Sequence, residues 1–224
     1  MTDSPNSLAE AKRLIEAGEL STVLGVLGEL ADEVYEAAML AGIAANRLGD
    51  LTAAAARFQR AMEIDPEKPE AVLNLGLTFR AMEDNAQAES AFRRAIELSP
   101  ESVPANFALG NLLLQRGAYT EATELFERVA KVSPHHVGAL NNLGICYSRH
   151  GRMDESAKQF EAIIAADPEN TGALANLGAI RSEQGRSDEA IDLLKRALDL
   201  LPGQVEASNN LGVALMDKGR YGKA

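Results

Sequence analysis

The sequence predicts an all-α chain, an array of antiparallel helix pairs, and three registers of small or stiff residues predict it. Prolines stand at Pro66, Pro100, Pro134, Pro168 and Pro202, each 34 residues after the last. Glycines at Gly42, Gly76, Gly110, Gly144, Gly178 and Gly212 keep the same 34-residue interval, as do Ala54, Ala88, Ala122, Ser156 and Ala190. A fixed internal period of this length marks stacked supersecondary units. Counting each unit from the third residue after a proline gives 35–68, 69–102, 103–136, 137–170 and 171–204. Residues 1–34 precede the regular array, and 205–224 open a truncated sixth unit, a first helix plus the start of its partner.

Within 1–34, Gly18 lies 31 residues before Gly49, three short of the repeat. Ala11, Leu14, Leu20, Val23 and Leu27 fit two amphipathic helices, an atypical capping pair of the kind arrays need at their ends. In the regular units, positions 4, 7, 8 and 11 (Leu140, Leu143, Gly144 and Tyr147 in the fourth) share one helical face. Positions 20, 24 and 27 (Ser156, Phe160, Ile163) make the matching face of a second helix. Small residues at 8 and 20 let the helices approach, and Phe58, Phe92, Phe126 and Phe160 at position 24 fill the remaining space.

Gly49, Gly117, Gly151, Gly185 and Gly219 fall between the paired helices, where a left-handed backbone ends the first. Each proline closes a second helix, since it lacks the next N–H and restricts its predecessor. Three departures stand out. Glu83-Asp84-Asn85 replaces the interhelix glycine, which predicts a looser turn or a left-handed Asn85. Arg181 takes position 11, elsewhere an apolar or aromatic site, and Ser208 takes an apolar position 4.

The recurring Leu-Gly, Ala-x-x-x-Phe and closing Pro, as in Leu140-Asn141-Asn142-Leu143-Gly144, resemble the tetratricopeptide repeat (TPR) family. The resemblance implies a right-handed superhelix, an α-solenoid whose first helices line a concave groove for a protein or peptide partner.

Composition narrows the function classes. A net charge of −11 opposes a nucleic-acid groove, which needs clustered Lys and Arg, and opposes anionic membrane surfaces. Aromatics are only 4% of the chain beside 46% hydrophobic residues, so the core relies on close helix contact through alanine. The single cysteine, Cys146, excludes an intrachain disulfide. The N-terminus has neither basic nor apolar signal regions, and the longest apolar run, Ala37 to Ala45, is too short to span a bilayer. These features predict a cytoplasmic chain.

No catalytic constellation, metal set or cofactor motif emerges, so a non-enzymatic role is expected. His135 and His136 follow Pro134 in an inter-repeat loop, and His150 ends a first helix. Cys146 occupies the mostly apolar position 10, where a thiol packs as a small hydrophobe. The pairs Asp154-Glu155 and Asp188-Glu189 fall on the first turns of second helices, where the helix dipole favours negative charge.

Position 6 is the informative column: Leu40, Asn74, Ala108, Asn142, Asn176 and Asn210. Its four asparagines resemble the asparagine ladder of peptide-binding TPR proteins. An amide donates and accepts, so it can bond a peptide backbone in either sense or bond a neighbouring repeat instead. Beside it, Leu73, Leu77 and Phe107 form an apolar patch, and Asn111, Asn141 and Arg149 complete the candidate groove. TPR domains that clamp a C-terminal carboxylate place cations where Phe107, Gly172 and Asn176 stand here, so a carboxylate clamp is not expected.

The predicted function is therefore a protein-interaction scaffold that takes an extended segment. Two alternatives stay open: the substrate-recognition region of a larger enzyme, such as a glycosyltransferase, and a homotypic assembly scaffold. The stripe of Leu211, Gly212 and Leu215 faces a partner helix that the sequence barely begins. It suggests a fragment of a longer protein, with self-association through Leu211 and Leu215.

Overall fold

The computed structural model describes residues 4–221, and among them the chain forms fourteen helices and no strand. It divides into two compact units, Met1–Leu112 and Leu113–Ala224. The first contains α1 (Ser4–Ala17), α2 (Leu20–Leu27), α3 (Leu30–Glu33), α4 (Tyr35–Leu48), α5 (Leu51–Ile64), α6 (Pro69–Ala81), α7 (Asn85–Leu98) and most of α8 (Val103–Gln115). The second contains α9 (Tyr119–Val132), α10 (Val137–Arg149), α11 (Met153–Ala166), α12 (Thr171–Glu183), α13 (Ser187–Leu200) and α14 (Val205–Tyr221).

The N-terminal segment differs from the expected two helices. Gly28 takes φ +41°, ends α2 after eight residues, and is followed by the single turn of α3. Ala11, Leu14, Val23, Leu27 and Ala31 still bury together against Ala37, Ala41 and Ala44 of α4, so the amphipathic pattern found the core but not the break.

The regular pairs α4–α5, α6–α7, α10–α11 and α12–α13 follow the 34-residue register. Second helices end at Ile64, Leu98, Val132, Ala166 and Leu200, each two residues before a register proline. At their starts Asp50 and Asp84 accept the N–H groups of Ala53 and Gln87 at 3.0 Å, satisfying donors that have no partner within the helix. Between the helices Gly49, Gly117, Gly151 and Gly185 take φ of +72° to +83°.

The second unit of the repeat corrects an expectation. Glu83 itself, not Asn85, adopts the left-handed conformation at φ +62°, and Asn85 is the first residue of α7. Nor is the turn looser. Glu83 and Asp84 donate to Arg80 and Phe79 carbonyls at 3.0 and 2.9 Å, matching the bonds of Gly49 and Asp50 to Asn46 and Ala45 at 3.0 Å. The hydrogen-bond frame of the turn dictates the backbone angle, and the side chain tolerates it.

Close approach explains the glycine column. A Cβ added at Gly42, Gly76 or Gly144 would lie 2.6–2.7 Å from the ring of Phe58, Phe92 or Phe160, and at Gly178 2.6 Å from Leu194. Each of these four position-24 side chains thus lies directly on the glycine of its own repeat. Ser156, where alanine is usual, donates its hydroxyl to the Gly144 carbonyl at 2.8 Å and so remains compatible with full burial. At the C-terminal end α14 runs through Gly219 as helix to Tyr221, so the turn expected there is absent, and 222–224 lie outside the described residues.

Candidate functional site

The ten candidate groove residues divide between the two units. Leu73, Asn74 and Leu77 on α6, with Phe107 and Asn111 on α8, lie half-buried in the first. The Asn74 amide donates to the Glu70 carbonyl of its own helix at 2.8 Å. Next to it, Asn46 of α4 donates to the Thr78 hydroxyl at 3.0 Å, a bond from one first helix to the next.

The second unit brings its candidates together. The Asn176 amide donates to Asn141 Oδ1 at 3.3 Å, and the Asn141 amide donates to Asn142 Oδ1 at 3.2 Å, so amides of α12 and α10 are linked. The asparagines therefore do brace adjacent repeats here, and each remains partly exposed. Beside them lies a pocket of about 220 Å³ lined by Ile145, Arg149, Asn176, Ala179 and Glu183, with Phe160 of α11. A second pocket of about 280 Å³ follows, lined by Ala179, Ser182, Glu183, Asn210, Val213 and Asp217. Ala179 and Glu183 line both, which makes one trough along the first helices α10, α12 and α14.

Position 11 anchors that row of helices. Tyr147 of α10 donates its hydroxyl to Glu127 of α9 at 2.8 Å, and Arg152 stacks on the ring with its guanidinium carbon 4.2 Å from the centroid. Burial and the Glu127 carboxylate push the Tyr147 phenol up to about 12. One repeat later Arg181 replaces the tyrosine and pairs with Glu161, one repeat after Glu127. Arg181 is only 7% exposed and also donates to Gln184 Oε1 at 2.7 Å, so the buried charge is neutralised and hydrogen-bonded. The substitution keeps the inter-repeat contact and changes its chemistry. Sequence reading flagged Arg181 as an anomaly. The 34-residue spacing of the two glutamates would have identified its partner.

Asn106, at the position-4 site that is apolar in most repeats, was not singled out by the sequence pattern. It is 1% exposed, and its amide donates to the Pro100 and Ser102 carbonyls at 2.9 and 2.8 Å, tying the preceding loop to α8. Cys146 is fully buried, and burial pushes its thiol up from the ordinary range. His136 accepts the Ala139 N–H at 3.1 Å as a helix cap, and His150 lies 3.3 Å from the Thr120 hydroxyl. Among the described residues no group of three or more His, Cys, Asp or Glu is placed to hold a metal ion, and no helix is long and apolar enough to cross a membrane.

Comparison with known proteins agrees with this architecture. The crystal structure of YrrB, a TPR protein with an unusual peptide-binding site, superimposes with a TM-score of 0.73 at 20% identity, covering 85% of this chain and 96% of that one. MamA from Desulfovibrio magneticus gives 0.69 at 19% identity over 76% of this chain and 97% of its own. PilF of Pseudomonas aeruginosa gives 0.75 at 14% identity, with 92% and 95% covered. No curated protein matches at a significant level. The tetratricopeptide repeat model matches residues 6–69, 73–131, 107–171 and 175–224, and with helix pairs, glycine contacts and closing prolines all in the same register, the chain belongs to the tetratricopeptide repeat family, whose members serve as protein-interaction scaffolds.

Proposed function

We propose that this chain is a non-enzymatic scaffold that binds an extended partner segment along α10, α12 and α14. The observation that carries this reading is the continuous trough: two pockets sharing Ala179 and Glu183, with Asn176 in one and Asn210 in the other. An extended chain laid across parallel first helices presents N–H and C=O groups at intervals, and amides meet either kind. The peptide-binding site ascribed to YrrB, a protein of similar fold, supports the same reading.

Magnitudes say what else is needed. A net hydrogen bond contributes roughly 0.5–1.5 kcal/mol, so two amides supply about 1–3 kcal/mol. Micromolar binding requires about 8 kcal/mol, and side-chain contacts in the trough must supply the difference. Wild type and the pair Asn176→Ala with Asn210→Ala should be compared on an immobilised array of random dodecapeptides. The paired variant is expected to lose capture broadly, by roughly five- to hundredfold, with its melting temperature nearly unchanged. Full capture with a lowered melting temperature would mean that the column only braces the repeats.

A second reading, association with another copy of this chain through α14, is favoured by one observation. Gly212 has no heavy atom within 4 Å of an added Cβ, whereas Gly42, Gly76, Gly144 and Gly178 are each covered by a side chain of their own repeat.

A further inference from the structure

We infer that the trough selects its partner by charge: it takes an extended segment whose Lys or Arg side chain sits between Glu183 and Asp217, with an acidic residue on the Arg149 side. This inference rests on the binding reading above and deepens it to a class of partner.

Position 13 of the repeats supplies the pattern. In the second unit it reads Arg149, Glu183 and Asp217, the first two being the last residues of α10 and α12. Arg149 and Glu183 line the pocket of about 220 Å³, and Glu183 and Asp217 line the pocket of about 280 Å³. The trough therefore passes from one cation to two anions, with the position-6 amides beside it.

These charges are not used by the fold. Neighbouring ionic groups pair locally: Arg186 with Glu189, Lys218 with Asp188, Arg152 with Glu155. Among the described residues neither Arg149 nor Glu183 makes an ion pair, and Asp217 meets only the Ser182 hydroxyl, at 3.5 Å. Glu183 also stands against helix electrostatics. The C-terminal turn carries partial negative charge and favours a cation, as Arg47 in α4 and Arg149 in α10 illustrate. A carboxylate ending α12 is unfavourable for the helix, and the cation of the same turn, Arg181, is engaged by Glu161 and Gln184. A cation brought in by a ligand would satisfy Glu183, Asp217 and the end of the helix together. Val213 and Ala179 give its aliphatic stem an apolar wall.

The test uses fluorescence anisotropy of three labelled dodecapeptides, alternating Ala with Lys, Ala with Glu, or Ala with Ser. Wild type should bind the Lys peptide best, and the affinity should fall with salt because the contacts are partly exposed. Glu183→Lys with Asp217→Lys should weaken the Lys peptide by at least about tenfold and strengthen the Glu peptide. Glu67→Lys with Glu101→Lys makes the same change in net charge on exposed loops of the first unit and should leave binding within about twofold. Equal loss in both pairs would reduce the effect to general attraction by an acidic protein and overturn the inference. So would no preference of wild type for the Lys peptide. If Asn176→Ala with Asn210→Ala weakens all three peptides while the charge pair changes nothing, the groove reading stands and the charge inference fails. If neither pair matters, both fail.

Discussion

At the scale of single residues, the same amino acid in the same register serves opposite physical ends. Glycine inside a helix costs roughly 0.5–1 kcal/mol relative to alanine, so Gly→Ala is stabilising wherever the methyl group has room. At Gly144 it has none, because the new Cβ would lie 2.7 Å from Phe160, a ring only 1% exposed that cannot swing away. Gly144→Ala should therefore destabilise by about 1–3 kcal/mol through overpacking. At Gly212 nothing lies within 4 Å, and Gly212→Ala should stabilise α14 by about 0.5–1 kcal/mol. Chemical denaturation of the two variants separates the contributions. Two shifts of the same sign would mean that close packing does not explain the column.

At the scale of elements, the helix pairs and their closing prolines were legible because each rests on a local rule repeated in phase. Turns were legible only where the residue announces the angle. Glu83 does not, yet it takes φ +62° because the bonds to Arg80 and Phe79 close the turn in the frame used around Gly49. A left-handed non-glycine residue costs about 1–2 kcal/mol, and a carboxylate at the end of α6 opposes the helix dipole. Glycine relieves both but adds entropy to the unfolded chain, so Glu83→Gly should stabilise by a net of about 0.5–1 kcal/mol. Thermal melting would check it, and a loss of stability would show that the Glu83 side chain has a favourable contact. The α2–α3 break escaped the sequence for the opposite reason. The amphipathic pattern of Leu20, Val23 and Leu27 does not mark it, and only the geometry shows that Gly28 turns the chain at φ +41°. Gly219 erred the other way: the periodic register marked a turn, and α14 continues through it. In the candidate site, the position-6 column was singled out by its resemblance to the asparagine ladder. The charge column at position 13 was not, because its meaning depends on which ionic groups lack a partner.

At the scale of the whole molecule, the 34-residue array sets where apolar surface is left over. The pairs α4–α5, α6–α7, α10–α11 and α12–α13 each cover the glycine of the first helix with a side chain of the second, and α14 is a first helix whose Gly212 is uncovered. Leu215 and Met216 are 50% and 60% exposed, Leu211 is half-buried, and Gly212 between them has no covering side chain. In the second reading proposed above, the occupant of this face is the same face of another copy. A two-fold pairing places each stripe against its duplicate, and Gly212 lets the two backbones approach closely. An exposed apolar patch of this kind is a natural site of such association. Leu215→Glu with Met216→Glu should abolish it without unfolding, because both side chains already face solvent and gain only hydration. Light scattering across a concentration series should give wild type a mass that rises toward twice 23.9 kDa. The paired variant should stay at the mass of one chain, since bringing four carboxylates together weakens pairing by at least about tenfold. A wild type that remains a monomer at the highest concentration would leave α14 open in solution and remove the second reading.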